Sequence, residues 1–222
     1  MYTIRSFILF VALIALSCCK KKTEAVPVAV QPRHESYTLL KPGNYWVYRD
    51  FTVIMSTDTT IPRDTYDSCY IEKDTSLNGH TYYKYATIRN VYGSSRDTSF
   101  ILLRDSLNYL VDHNGRILFA SQDFTSIFST YTFGPNNSTG DTLLVTEQMR
   151  PEEAILDVPA GRFRALAFMM VFHYPPGRSV TQASMYTWYA SGVGIVCRSK
   201  GFYFVAPTTN HTEQRLVRYH VQ

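Results

Sequence analysis

Two adjacent cysteines near the N-terminus are the residues of this sequence that are most suited to chemistry. An apolar run from Phe7 to Leu16 and then Ser17 precede Cys18 and Cys19, and Arg5 supplies a positive charge before that run. The run is shorter than the roughly 20 apolar residues that a membrane-spanning helix needs. A positive start, a short apolar run and the small residue Ser17 are together typical of an export signal that is cleaved at this point.

The stretch Ala-Leu-Ser-Cys at positions 15 to 18 resembles the lipobox of bacterial lipoproteins. In that family the chain is cut before the cysteine, and the cysteine sulfur and the new amine are both acylated. Cys18 is the predicted lipidation site because the small Ser17 precedes it, and Cys19 is the second choice. Several acyl chains, at about 0.8 kcal/mol per buried CH₂ group, anchor a protein permanently to a membrane. The alternatives are an ordinary secretory signal and a plain membrane anchor.

The other two cysteines, Cys69 and Cys197, both lie in predicted strands. Disulfides persist in exported proteins, and a bridge that closes so long a loop stabilises a fold by a few kcal/mol. The alternative is two separate buried thiols that act as small apolar side chains. The sequence leaves both options open because the two strands need not be neighbours.

Patterns for catalysis or metal binding are otherwise absent from the sequence. The six histidines have no second ligand at helical spacing, and there is no Cys-x-x-Cys pair and no Gly-x-Ser-x-Gly motif. We therefore expect a protein that is not an enzyme, with no catalytic residues, no metal and no cofactor. A zinc site assembled across strands and a hydrolase of another type are the less favoured alternatives.

The charge distribution argues against nucleic acid as a partner. The net charge is +4, and the basic residues are scattered except for three consecutive lysines at positions 20 to 22. A nucleic-acid surface requires a basic stripe, often with interleaved aromatic residues. The three lysines are better explained by anionic lipid head groups, so we expect a membrane as the partner of the N-terminus.

Three regions follow from these patterns. Residues 1–17 form a lipoprotein signal peptide, residues 18–36 a lipidated N-terminus with a flexible tether, and residues 37–222 a β-rich domain. The tether contains Pro27 and Pro32 and lacks helical or strand periodicity. An edge strand from Val26 to Val30 is the alternative, although Pro27 would interrupt it.

The region after Tyr37 is a succession of strand candidates with turn signals every 8 to 14 residues. Aromatic residues, which suit a pleated surface, make up 14% of the chain, and Asn78-Gly79 and Asn114-Gly115 are hairpin turn signals. We predict a mainly β fold, with one antiparallel meander domain and little or no helix after the signal peptide. So many strands require a strongly curved sheet, either a half-barrel or a closed barrel or sandwich.

One segment, from Leu166 to Phe172, is apolar on both faces. This pattern predicts a central strand that is buried above and below, with a helix as the competing interpretation. Large apolar residues of this strand and of two others form the candidate face for an apolar ligand. They are Trp46, Tyr48, Phe168, Met170 and Trp188.

Four fragments resemble a group of Gram-negative envelope lipoproteins that have no established activity. They are LLKPGNYWVY, VPAGRFRA, WYASGVGIVCRSK and RLVRYHV, and they begin at residues 39, 158, 188 and 215. That group is itself distantly similar to the curved sheets of the LolA/LolB lipoprotein carriers. The resemblance implies a curved β-sheet and a place in the cell envelope, and it supplies no catalytic or binding residues.

The expected function is that of an outer-membrane-anchored lipoprotein whose β domain binds a partner or an apolar ligand without catalysis. A lipid or a protein is the expected partner of that domain. The alternative is a structural or interaction component of an envelope or surface assembly. The acidic residues that mark some surface-exported lipoproteins are missing after the cysteines, so the periplasmic face is favoured over the cell surface.

Overall fold

The computed structural model describes residues 33–90, 97–135, 142–200 and 210–222. These residues contain one short helix and thirteen strands. The helix and the first six strands are α1 (Glu35–Thr38), β1 (Tyr45–Ile54), β2 (Thr59–Leu77), β3 (His80–Asn90), β4 (Asp97–Ser106), β5 (Tyr109–Asp112) and β6 (Ile117–Ala120). The remaining strands are β7 (Ile127–Phe133), β8 (Leu143–Met149), β9 (Ala154–Val158), β10 (Gly161–His173), β11 (Gln182–Ala190), β12 (Gly194–Lys200) and β13 (His211–His220).

Short turns connect several of these strands as the sequence predicts. Asn78 and Gly79, with φ angles of 51° and 76°, join β2 to β3. Positive φ at both central residues is the turn geometry that matches the twist of an antiparallel hairpin. Gly115, with φ of 83°, lies in the turn between β5 and β6. Both Asn-Gly turn predictions are thus confirmed.

All thirteen strands belong to one antiparallel sheet, in the order β6-β5-β4-β3-β2-β1-β13-β12-β11-β10-β8-β7, with β9 paired to β10. The prediction of a mainly β fold with a single curved antiparallel sheet is confirmed. The segment from Leu166 to Phe172 belongs to β10, which pairs with β11 on one side and with β8 and β9 on the other. It is therefore a central strand and not a helix.

The connection between β6 and β7 requires the sheet to close on itself. These strands are consecutive in the chain but lie at opposite ends of the strand order, and only residues 121–126 connect them. Six residues span at most about 20 Å even when fully extended. The two ends of the sheet are therefore close in space, and the domain is a nearly closed barrel.

Side chains close the barrel at the seam where β6 approaches β8 and β10. The ring of Phe119 on β6 is fully buried, and its centroid lies 4.4 Å from that of Tyr189. The backbone N–H of Ala120 donates to the Met149 sulfur on β8, at 3.4 Å. These contacts substitute for the backbone ladder, which does not extend from β6 to β7 in the described residues.

An ion pair completes the seam. The Nε of Arg116, just before β6, donates to Oε2 of Glu147 on β8 at 3.1 Å, and its Nη2 contacts the other carboxylate oxygen. The Tyr131 hydroxyl donates to the same carboxylate at 3.3 Å. The Glu147 side chain is fully buried, whereas that of Arg116 is 46% exposed. The carboxylate thus depends on Arg116 for its compensating charge.

Helix α1 packs against one end of the barrel. His34 and Tyr37 are 3% and 5% exposed, and the Tyr37 ring lies 5.3 Å from that of Phe119. The packed domain therefore includes residues 34 to 36, which the sequence analysis assigned to the tether. Cys18 and Cys19 lie outside the described residues.

The disulfide between Cys69 and Cys197 does not form, and both thiols are free and buried. Cys69 on β2 pairs with Trp46 and shares its face of the sheet, whereas Cys197 on β12 pairs with Trp188 and Arg215 on the other face. Two strands lie between β2 and β12, so the two residues are about 14 Å apart along the sheet. A disulfide requires Cα atoms within about 7 Å.

Substitution of the seam ion pair tests whether it holds the barrel closed. Arg116→Met should lower the free energy of unfolding by about 2–3 kcal/mol, because it leaves the buried Glu147 carboxylate without a cation. Because the Arg116 side chain is 46% exposed, solvent screens the pair, and the loss of stability should not exceed that for a fully buried ion pair. Urea unfolding measures the change.

The double variant Arg116→Met/Glu147→Met is the matched control. It removes both charges and keeps apolar volume, so it should recover at least half of the lost stability. A double variant no more stable than Arg116→Met would contradict the role given to the ion pair.

Candidate functional site

The barrel contains a cavity of about 270 Å³. Its wall is mainly apolar, and α1 and several strands contribute to it. The apolar lining includes Ile101, Leu103, Leu110, Leu118, Phe168 and Met170. The volume lies near the lower end of the range of roughly 300–1,000 Å³ that is typical of small-molecule sites.

Trp46 and Tyr48 reach the cavity because alternate residues of β1 point into the barrel. The Trp46 indole donates to the Val193 carbonyl at 2.5 Å and is 2% exposed. A Cβ atom on Gly194 would lie 3.3 Å from the indole nitrogen, and its φ of +88° is unfavourable for other residues. Glycine at this position therefore lets the indole lie directly against β12.

Two arginines of the described residues line the cavity: Arg116, which is paired with Glu147, and Arg198 on β12. Arg198 is the one without such a partner. Its guanidinium lies over the Tyr48 ring, 5.2 Å from the centroid, and its Nε donates to the Gln214 amide oxygen at 2.5 Å. The nearest carboxylate oxygen, on Asp67, is 3.9 Å from Nη2. Arg198 therefore has cation–π and amide contacts, but no close carboxylate partner in the described residues.

Four tyrosines line the cavity, Tyr37, Tyr48, Tyr85 and Tyr189, and the hydroxyl groups of the last three differ in bonding. The Tyr48 hydroxyl donates to the Ile195 carbonyl at 3.0 Å, and that of Tyr189 donates to the Leu118 carbonyl at 3.3 Å. The buried Tyr85 hydroxyl makes no hydrogen bond of acceptable geometry with any described residue. A buried hydroxyl without a partner costs free energy, so Tyr85 is a candidate contact for a ligand.

Burial raises the pKa of Tyr48, Tyr85 and Tyr189. The nearby Cys69 raises the pKa of Tyr48 and Tyr85 further. Ionisation would place a negative charge in a poorly solvated interior, so the neutral form is favoured. The cavity therefore presents neutral hydroxyl groups, the Arg116 side chain that is paired with Glu147, and the positive charge of Arg198.

A serine, a histidine and an aspartate meet at the end of the barrel that α1 covers. His34 Nδ1 lies 3.1 Å from the Ser121 hydroxyl, and His34 Nε2 lies 3.1 Å from Asp105 Oδ1. The Thr38 hydroxyl donates to Asp105 at 3.0 Å. His34 and Ser121 are buried, and none of the three residues of this cluster lines the cavity. The cluster fastens α1 to β4 and to the end of β6.

The structure brings together four of the five residues of the predicted apolar face. Trp46, Tyr48, Phe168 and Met170 line the cavity. Trp188 lies between two residues of β11 that point inward, so its indole is on the outer face, where it stacks with Tyr186 at 5.5 Å. Arg198 and Tyr85 also line the cavity and were not predicted from the sequence. The charge of Arg198 within a largely apolar predicted strand is the sequence feature that could have indicated its role.

Two further features of the described segments bear on chemistry. They contain no group of three His, Cys, Asp or Glu residues arranged to hold a metal ion. None of their helices is long and apolar enough to cross a membrane.

Comparisons with known proteins give little beyond this geometry. No protein-family model and no curated protein matches the chain. Two solved structures are similar, one from Parabacteroides distasonis assigned as a lipoprotein and one from Bacteroides fragilis assigned as an exported protein with a YmcC-like fold. Each is 10% identical and covers 83% of this chain and 98% of its own, with TM-scores of 0.47 and 0.49. At these values the likeness carries no argument about function, and similarity to the LolA/LolB carriers stays a prediction.

Removal of the two neighbouring tyrosine hydroxyls should have opposite effects near pH 7. Tyr85→Phe should leave the free energy of unfolding unchanged or raise it by up to about 1 kcal/mol, because an unsatisfied buried group is removed. Tyr48→Phe should lower it by about 1 kcal/mol, because the bond to the Ile195 carbonyl is lost. Urea unfolding of both variants measures the difference, and a larger loss in Tyr85→Phe would contradict the assignment.

The raised pKa of Tyr85 also predicts a dependence on alkaline pH. Above about pH 10 a tyrosine ionises in the unfolded chain, while Tyr85 keeps its proton in the barrel. The native state then binds more protons than the unfolded state, so stability falls as pH rises, by about 1.4 kcal/mol per pH unit for each such tyrosine. Tyr85→Phe should reduce this slope by that amount, and an unchanged slope would contradict the raised pKa.

Proposed function

We propose that this chain is a lipid-anchored envelope protein whose barrel binds a small apolar ligand without catalysing a reaction. The observation that supports this proposal is the apolar cavity of about 270 Å³ in a barrel whose interior also contains packed clusters of apolar side chains. Well-packed interiors contain few voids larger than a water molecule. An apolar space of this size is therefore better explained by a ligand than by imperfect packing.

The composition of the wall favours an apolar ligand over a polar one. Aliphatic, methionine and aromatic side chains form most of the lining, and few polar groups reach it. Each CH₂ group that leaves water for such a wall contributes about 0.8 kcal/mol. A ligand with a short hydrocarbon chain thus gains several kcal/mol, from which the cost of association is subtracted.

The membrane attachment in this proposal is supported by the sequence. Cys18 follows the predicted signal peptide, and acyl chains on its sulfur and amine would hold the protein on the outer membrane, with the periplasmic face favoured. Attachment keeps a ligand-binding barrel next to the source of apolar molecules in the envelope. This location fits the apolar cavity better than it fits an enzyme for soluble substrates.

A cavity-filling substitution tests the ligand-binding function. Ile101 lines the cavity on β4, whereas its neighbour Phe100 is 63% exposed on the other face. The full-length protein, Ile101→Trp and Phe100→Trp are purified from the same Gram-negative host, and their organic extracts are compared by mass spectrometry. Because all three share the same anchor and membrane lipids, the difference between extracts reports the cavity alone.

We expect an apolar molecule at near-stoichiometric amount with the wild type and Phe100→Trp, and at least tenfold less of it with Ile101→Trp. Circular dichroism of each variant verifies the fold. Identical extracts from the wild type and a folded Ile101→Trp would overturn the proposal. A stable protein complex recovered from the same preparations would then favour the alternative role in an envelope assembly.

Replacement of the predicted lipidation residue tests the anchor. Cys18→Ser should move the protein from the membrane fraction to the soluble fraction and abolish its labelling by palmitate, because no sulfur is left at the processing site. Cys19→Ser is the matched control and should stay in the membrane fraction. If Cys19→Ser is released and Cys18→Ser is retained, the second cysteine is the lipidated one.

A further inference from the structure

Arg198 belongs to a charged cluster inside the barrel. Arg198 and Lys200 approach two buried carboxylates, Asp50 and Asp67, and Arg89, whose side chain is 47% exposed, reaches Asp67 from the solvent side. At the seam Arg116 and Glu147 compensate each other. Charges in such an interior are poorly solvated, so the distance within each pair determines how well it is compensated.

The distances identify Arg198 as the cation without a close counter-ion. Lys200 is held by both oxygens of Asp50 at 2.9 Å. Asp67 is 3.4 Å from Arg89 Nε, but its nearest approach to Arg198 is 3.9 Å. Asp67 also accepts a hydrogen bond of 2.6 Å from the Gln214 amide, which occupies one of its oxygens.

The donors of Arg198 that remain free point to an anion. Its Nε is used by Gln214, but neither Nη group makes a hydrogen bond with a described residue. A guanidinium has five N–H donors in a planar fork that matches a carboxylate in two parallel bonds. The Nη groups of Arg198 are therefore free hydrogen-bond donors at the wall of a cavity. On a fully exposed arginine, water would bind such donors.

A second unused donor lies in the same wall. The Tyr85 hydroxyl lies near Cys69 and Tyr48 but makes no hydrogen bond of acceptable geometry with a described residue, and its side chain is near enough to Arg198 for the two to interact electrostatically. Tyr48, whose ring supports the guanidinium, already donates to the Ile195 carbonyl. The guanidinium and the Tyr85 hydroxyl are thus the two groups that an acceptor in the cavity would meet.

We propose that the ligand is a carboxylate with a short hydrocarbon chain, with its head group bound by Arg198 and Tyr85 and its tail by the apolar wall. This inference rests on the proposed ligand-binding function. A carboxylate has two oxygens that match the free Nη groups of one guanidinium, and its single negative charge equals in magnitude the charge of Arg198. A phosphate monoester, with a charge of about −1.5 to −2, carries more negative charge than one guanidinium offsets.

The cavity volume limits the length of the chain. A group the size of a water molecule occupies about 30 Å³, so 270 Å³ accommodates about nine such groups. An eight-carbon fatty acid has close to this size. The apolar part of the wall, which includes Leu103, Phe168 and Met170, would cover its tail.

The experiment compares ligands that differ only in charge. Octanoate, its neutral isostere octanamide and octylammonium are titrated by isothermal calorimetry into the full-length protein in lipid nanodiscs, with empty nanodiscs as the blank. Near neutral pH the acid is ionised. We expect octanoate to bind at least tenfold more tightly than octanamide, and octylammonium to bind more weakly still.

Two variants locate the head group. Arg198→Met should weaken octanoate binding at least tenfold and leave octanamide within twofold of the wild-type affinity. Arg215→Met is the matched control, since Arg215 lies on the neighbouring strand, on the outer face, and donates to Glu213. It should leave both affinities unchanged.

The outcomes separate this inference from the function on which it rests. Equal affinity for octanoate and octanamide, or unchanged octanoate binding in Arg198→Met, would overturn the head-group assignment and leave an apolar binding cavity. Failure of all three ligands to bind, together with the absence of a cavity ligand from the extracts, would overturn both. The comparison of octanoate with octanamide on the wild-type protein tests the inference even if Arg198→Met does not fold.

Discussion

The connection of six residues between β6 and β7 is the constraint on which the rest of this fold depends. It joins the two ends of a twelve-strand path, so the sheet must curve until those ends meet. Since no backbone ladder joins β6 to β7 in the described residues, the closure relies on Phe119 among its aromatic neighbours and on the pair of Arg116 and Glu147. Once the ends meet, the inner face of every strand becomes part of one enclosed interior.

That interior is divided along the barrel. Toward α1 it is apolar, with aromatic and aliphatic side chains such as Phe119, Tyr189 and Trp46, and this part contains the cavity. Further along β1 and β2 the inward positions become charged, with Asp50 and Asp67. Arg198, in the cavity wall, lies where the apolar and the charged parts meet. An amphiphile matches such a boundary, because its tail and head group require different surroundings.

The sequence predicts local features of this molecule much better than its three-dimensional contacts. Asn78-Gly79 identifies a hairpin because its backbone geometry is a local property, and the apolar run of β10 identifies a central strand for the same reason. The placement of Trp188 illustrates the limit. Alternation separates it from Thr187 and Tyr189, but β11 has large side chains on both faces, so periodicity alone does not tell which face is inside.

Contacts between residues that are distant in the chain cannot be predicted from local sequence patterns. Arg198 contacts Tyr48 across the registers of β1, β13 and β12, and nothing near either residue in the sequence indicates the other. His34 illustrates the same point, since its partners Asp105 and Ser121 lie more than 70 residues further along the chain. The cavity is therefore a property of the closure and not of any single strand.

The two free thiols have a consequence for the order of events during folding. Cys69 and Cys197 lie on opposite faces of the sheet, and both are buried in the folded protein. Burial and the nearby Glu213 raise the pKa of the Cys197 thiol, so in the folded protein it stays protonated and unreactive. In the unfolded chain nothing keeps the two sulfurs apart, and an oxidant could join them. Such a cross-link would be incompatible with the native registers, so folding that buries both thiols before oxidation keeps an exported chain of this sequence on its productive route.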